Sequence, residues 1–191
     1  MTSAFASANA AGSLVIAVVR MSTTAQTVSV TDSAGNVYRD AVAQAQTADG
    51  HQIHLFYAAN VTGGPNTVTA TFSSVNNRPW LAIYEYGGVR ATDPLDQTAG
   101  AQGSSATASS GPTGATTTAN ELVFAATGLP ASYAGAVSAG ANYVLQRQDT
   151  GGSRAATESG TAAVPGSYTA TFALGAPTNW TAVVATFAPV P

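Results

Sequence analysis

Apolar and polar residues trade places over short distances along this chain. The cleanest case is Thr67-Val68-Thr69-Ala70-Thr71-Phe72. On a strand, Val68, Ala70 and Phe72 share one face and the three threonines share the other. Similar segments run over Leu14–Arg20, Thr27–Thr31, Val37–Ala43, Gln52–Ala58 and Trp80–Tyr86. A second series follows at Glu121–Thr127, Tyr143–Gln148, Tyr168–Ala173 and Thr181–Phe187. Gly and Pro punctuate these runs about every ten residues, the spacing of a sandwich or jelly roll. Helical periodicity is hard to find. The polar stretch Thr98–Thr118 could pass for a linker, but a compact domain rarely holds a structureless loop that long. Part of it is expected as a polar edge strand.

The two series match each other in order. Ala11-Gly12-Ser13-Leu14-Val15-Ile16-Ala17 resembles Ala119-Asn120-Glu121-Leu122-Val123-Phe124-Ala125. Ser33-Ala34-Gly35 resembles Ser138-Ala139-Gly140, and Asn36-Val37-Tyr38 is echoed by Asn142-Tyr143. Pro65, Thr69-Ala70-Thr71-Phe72, Trp80 and Ala82 return as Pro165, Thr169-Ala170-Thr171-Phe172, Trp180 and Ala182. A duplication with deletions in the second half accounts for the order and the shrinking offset. One half alone would leave an apolar sheet face uncovered, and two halves together bury both. The expected fold is all-β: a single jelly-roll-like antiparallel β-sandwich with an internal pseudo-twofold duplication. Residues 1–10 are expected as an N-terminal extension and 11–188 as one domain, with half-repeats at about 11–86 and 119–187. Residues 189–191 read as the start of a Pro-containing linker.

Composition narrows the chemistry. The 191 residues hold 40 Ala, 26 Thr and 19 Gly, no Cys and no Lys, so all six cations are Arg. That removes disulfides, thiolate metal sites, Cys nucleophiles, Schiff-base lysines and a P-loop lysine. Charged residues are 8% of the chain and the net charge is −3. No basic field exists for nucleic acid, and no apolar run reaches the length of a membrane span. Met1-Thr2-Ser3-Ala4-Phe5 lacks a basic and an apolar region, so it does not read as a signal peptide. The chain is expected to be a module of an extracellular or cell-surface bacterial protein, its secretion signal lying outside this sequence.

Val30-Thr31-Asp32-Ser33-Ala34-Gly35-Asn36-Val37-Tyr38, Tyr57-Ala58-Ala59-Asn60-Val61, Tyr84-Glu85-Tyr86-Gly87-Gly88-Val89 and Asp93-Pro94-Leu95-Asp96 occur in that order. Over residues 11–188 the chain resembles the β-sandwich repeat modules of large secreted bacterial proteins, often found beside Ig-like or carbohydrate-active domains. The resemblance implies an extracellular, modular, non-catalytic role and supplies no site residues.

The candidate site is aromatic. If Leu81 and Ile83 face the core, then Trp80, Tyr84 and Tyr86 form an outward strip on which sugar rings could stack. The opposite register puts Trp80 and Tyr84 in the core, and the match of Trp180 to Trp80 favours a shared packing role. Glu85, Asp93 and Asp96 lie close in sequence. They are the candidate ligands of a structural calcium ion, or a carboxylate pair for glycoside hydrolysis. No other cofactor is implied. His51 and His54 sit three apart, which on a strand places them on opposite faces, so they read as surface or rim residues. Asp32-Ser33-Ala34-Gly35-Asn36 reads as a hairpin turn. No Gly-x-Ser-x-Gly elbow or Gly-x-Gly-x-x-Gly fingerprint occurs. The expected function is non-catalytic binding of extracellular polysaccharide, as an accessory or adhesin module. The alternative is a spacer or assembly repeat that contacts neighbouring modules of a surface protein. Glycoside hydrolysis, and ice binding through the threonine ladders, are weaker readings.

Overall fold

The computed structural model describes residues 1–23, 25–149, 151 and 154–191. The described residues form thirteen strands and no helix, all paired antiparallel. In the first half, β1 (Thr2–Ala4), β6 (Thr67–Phe72) and β3 (Val28–Asp32) make a three-stranded sheet. Beside it lies a four-stranded sheet in the order β4 (Arg39–Ala45), β5 (Gln52–Ala58), β2 (Leu14–Met21), β7 (Trp80–Tyr86).

The second half repeats this plan. It holds β9 (Glu121–Gly128), β10 (Val137–Ala139), β11 (Val144–Gln148), β12 (Ala155–Ala162) and the long β13 (Thr169–Phe187). The order β11-β12-β9-β13 mirrors β4-β5-β2-β7. The pairing of β13 breaks register between Ala173 and Thr178. Its first part pairs with β10 as β6 pairs with β3. Its last part, from Thr181, pairs with β9 as β7 pairs with β2. The other long strand, β8 (Leu95–Pro112), follows β13 along both parts. The polar stretch expected to hold an edge strand does so.

The antiparallel sandwich expected from sequence is present, with more layers than two. β2 is buried along its whole length, so both its faces are covered. Ala17, Val19, Leu81, Ile83 and Phe56 pack with Val68 and Ala70 of the small sheet. On the other face, Leu14, Ile16, Val18, Leu55, Tyr57, Trp80 and Ala82 pack against Phe124, Ala126, Val183, Ala185 and Phe187. That second contact is the seam between the halves. A third core of Val123, Ala125, Ala156, Phe172, Ala182 and Val184 fills the second half. Glycine lets β8 pair beside a tryptophan of β13: a Cβ on Gly103 would lie 2.4 Å from the Trp180 ring.

Residues 1–10, expected as an extension, join the fold. Thr2–Ala4 pair with Thr67–Thr69 of β6, and Asn9 is buried. The last residues do so too: Pro189 bridges Val89, and the Val190 amide donates to the Gly88 carbonyl. Both ends of the sequence are thus tied into the fold.

Candidate functional site

β7 supplies the predicted aromatics, and its register decides their role. Leu81 and Ile83 face the first-half core, as supposed. The other face of β7 does not meet solvent. It meets the second half, so the outward aromatic strip is not formed. Trp80 is only 8% exposed and lies in the seam. Tyr84 and Tyr86 are half-buried, with ring centroids 4.9 and 5.9 Å from that of Phe124. The Tyr84 hydroxyl is 2.5 Å from Thr157 Oγ1, and burial pushes its pKa up to about 12. The Arg147 guanidinium caps the same ring at 5.9 Å. The outward register supposed one solvent face for the sheet, whereas here both faces of β7 are packed and Trp80 takes the packing role that was the alternative.

Trp180 is buried too, but in a different place. Val18 stands opposite Ala82 in β2–β7, and Ala126 stands opposite Val183 in β9–β13. Val18 and Ala126 both face the seam. The structural counterpart of Ala82 is therefore Val183, and that of Trp80 is Thr181. The two tryptophans are one residue out of step. A one-residue slip reverses the face, so Trp180 points into the second-half core while Trp80 points into the seam.

The three candidate calcium ligands are not brought together. Glu85 accepts from Asn9 Nδ2 at 2.8 Å and from the Ala10 amide at 2.7 Å. Burial pushes its pKa up, but these donors outweigh it and hold the carboxyl below the usual range. Asp93 is exposed at the surface, 3.6 Å from Arg39. Asp96 accepts from the Thr117 amide, the Thr117 hydroxyl and Gln97. Each carboxylate has its own local partners. Among the described residues, no group of three His, Cys, Asp or Glu could hold a metal ion.

The Asp32 turn is not a hairpin. β3 and β4 belong to different sheets, so the turn crosses from one layer to the next. Asp32 holds it by accepting from the amides of Ala34 and Asn36 and from the side chains of Asn36, Asn66 and Tyr38. Burial alone would raise its pKa; these five donors lower it.

A polar cluster at the seam carried little sequence signal. Arg20 is the next-to-last residue of an otherwise apolar strand and is 1% exposed. Its Nε and Nη2 donate to the Leu129 carbonyl at 3.1 and 2.7 Å, and its Nη1 donates to the Arg78 carbonyl. Burial lowers its pKa to about 10. His51, expected at the rim, is also 1% exposed. Its Nδ1 lies 2.5 Å from Asp49 Oδ1 and its Nε2 lies 3.0 Å from the Gly128 carbonyl. Burial pulls its pKa down against the attraction of Asp49. Asp49 in turn accepts from Asn179. The bonds of Arg20 to Leu129, His51 to Gly128 and Asp49 to Asn179 join first-half side chains to second-half groups. A charged residue at the end of a buried apolar run was the only signal available. His54 remains on the first half, stacked on Phe56 and bonded to Gln52.

Shallow clefts are also found among the described residues. One is lined by Val37, Arg39, Tyr57, Ala59 and Ala91–Pro94. Another, of about 150 Å³, lies between Tyr143 and Tyr168 with Asn142, Thr161 and Ser167. The third lies at the crossover near Tyr86, Asn120 and Phe187. Comparison of the chain with family models, curated proteins and solved structures gave no match.

Proposed function

We propose that this chain is a non-catalytic structural module, a spacer or assembly repeat of an extracellular surface protein. One observation carries the reading. The aromatics that a glycan platform would need are used in the seam, where Trp80, Tyr84 and Tyr86 pack against Phe124 and its neighbours. Glu85 and Asp96 bind loop amides, and the Arg20 guanidinium at the seam binds main-chain carbonyls. Such a molecule spends its polar chemistry on holding its own shape. The test is Trp80→Ala, followed by urea unfolding and glycan titration. As a core truncation it costs about 3–5 kcal/mol, and neither wild type nor variant changes fluorescence with soluble polysaccharides. Loss of saturable glycan binding with stability intact would overturn the reading.

A second reading keeps the glycan and moves it. Tyr143 and Tyr168 flank a polar groove with Asn142 and Ser167. Their hydroxyls donate to the carbonyls of Thr169 and Val164, which fixes the rings. Saturable polysaccharide binding abolished by Tyr168→Ala would favour this reading.

A further inference from the structure

The first half closes a small apolar cluster that the second half leaves open. Val15, Ala58 and Val61 pack together there, with Phe5 and Tyr38 against them. The ladders and turns identify the counterparts. Val15 stands opposite Ala58, and the matching Val123 stands opposite Gly160. The Gly12 amide donates to the Val61 carbonyl, as the Asn120 amide does to that of Ala162. Phe5 and Thr113 each stand nine residues ahead of a matched leucine, Leu14 and Leu122. Their amides donate to the carbonyls of Asn66 and Tyr168. Phe5, Ala58 and Val61 thus become Thr113, Gly160 and Ala162, and each replacement is smaller.

Where side chains shrink, packing leaves space. The second half has a cleft of about 150 Å³ at this place, lined by Val123, Tyr143 and Tyr168. Bonds from both tyrosine hydroxyls to main-chain carbonyls fix its walls. An engineered protein cavity of roughly that volume holds one benzene ring, so one six-membered ring fits and a second lies outside. Asn142, Thr161 and Thr169 expose polar side chains around the cleft. No lining residue is charged, and the Glu158 carboxyl acts on Tyr143 from the core. A hydrocarbon ring would leave the polar rim unpaired, and an anion would meet no cation. A neutral sugar ring offers an apolar C–H face and an edge of hydroxyls.

We propose that this cleft takes a single neutral pyranose ring, its apolar face on Val123 and the tyrosine rings and its hydroxyls toward Asn142, Thr161 and Thr169. The inference rests on the reading that places a glycan between Tyr143 and Tyr168, and it fixes the ligand as one uncharged ring per chain. The first half offers no second site, because Phe5 and its neighbours occupy the matching place.

The test titrates the nitrogen-15-labelled full chain with methyl glycosides of neutral hexoses, with methyl glucuronoside and with the matching polysaccharides. Amide shifts are read at Val123, Asn142 and Tyr168, and at Val15 and Tyr38 as the first-half control. A neutral glycoside should shift the first set saturably, with a Kd on the order of millimolar, and leave the control set unmoved. The glucuronoside should bind about tenfold more weakly or worse. Tyr168→Ala removes a wall and abolishes the shifts. Thr113→Phe restores the ring found at Phe5 and also abolishes them; if that variant does not fold, Tyr168→Ala carries the test. Shifts that need three or more linked rings, equal binding of the glucuronoside, or equal shifts at Val15 and Tyr38 would each overturn the single-ring site while the glycan reading stands. Silence of Val123, Asn142 and Tyr168 toward every glycoside and polysaccharide would overturn both.

Discussion

Glu158 is buried, where its type is normally exposed. In β2–β5, Ala17 stands opposite Phe56; in β9–β12, the matching Ala125 stands opposite Glu158. A carboxyl thus replaces a core aromatic. It is fully buried, its Oε2 accepts the Gly140 amide at 2.8 Å, and its Oε1 has no partner. Burial pushes its pKa up from 4.5 to about 7, against the bonds from Gly140 and Thr171. Between those two values the folded chain keeps a proton that the unfolded chain has released. The contribution to stability is complete below the lower value and disappears as pH rises through the upper one. Glu158→Gln should match the wild type at pH 4.5 and exceed it by about 1–3 kcal/mol at pH 8. Urea unfolding at the two pH values checks this, and a pH-independent difference would refute it. The sequence drew attention to Glu85, Asp93 and Asp96 because they cluster. Glu158 lies in Ala155-Ala156-Thr157-Glu158-Ser159-Gly160, where small residues carry no apolar signal of burial.

At the scale of elements, the strands were largely legible because their alternation and punctuation are local. Segments such as Gln52–Ala58, Thr67–Phe72 and Trp80–Tyr86 form strands with the expected bounds. What covers each face is not local. The run Leu14-Val15-Ile16-Ala17-Val18-Val19 has no polar alternation, the mark of a strand buried on both sides, and that run held the evidence for a further layer. The pairing of β8 with β13 also depends on close approach. Gly103 has no room for a side chain beside Trp180, whereas a Cβ on Gly166 would meet nothing within 4 Å. Gly103→Ala should therefore cost about 1–3 kcal/mol through overpacking. Gly166→Ala should fall within about 0.5 kcal/mol of wild type. Chemical denaturation of both separates the steric cost from the loss of glycine itself. Equal effects would mean that the contact with Trp180 is not what constrains position 103.

For the whole molecule, the seam decides whether duplication yields two units or one. It contains Tyr57, Trp80, Phe124 and Phe187 and the buried Arg20 and His51 bonds. Separating the halves would expose an apolar sheet face on each and leave Arg20 without its Leu129 partner. The expected behaviour is one cooperative unfolding transition, with tryptophan fluorescence and far-UV circular dichroism coincident in urea. Two resolved transitions would show that the seam is weaker than either sandwich. The duplication itself was visible in the sequence, since turn and strand residues recur in order. Its geometry was not, because aligning Trp80 with Trp180 matches residue types, whereas the ladders match Trp80 with Thr181.

Because the two tryptophans answer to different cores, the halves are no longer interchangeable parts. Copying the Trp80 strand over the Trp180 strand, tryptophan on tryptophan, would turn every seam-facing residue of that strand toward the outer core. Substitutions that suit one copy are therefore unsuited to the other. The halves are free to diverge in sequence, while the surface they share obliges each to accommodate the other's changes.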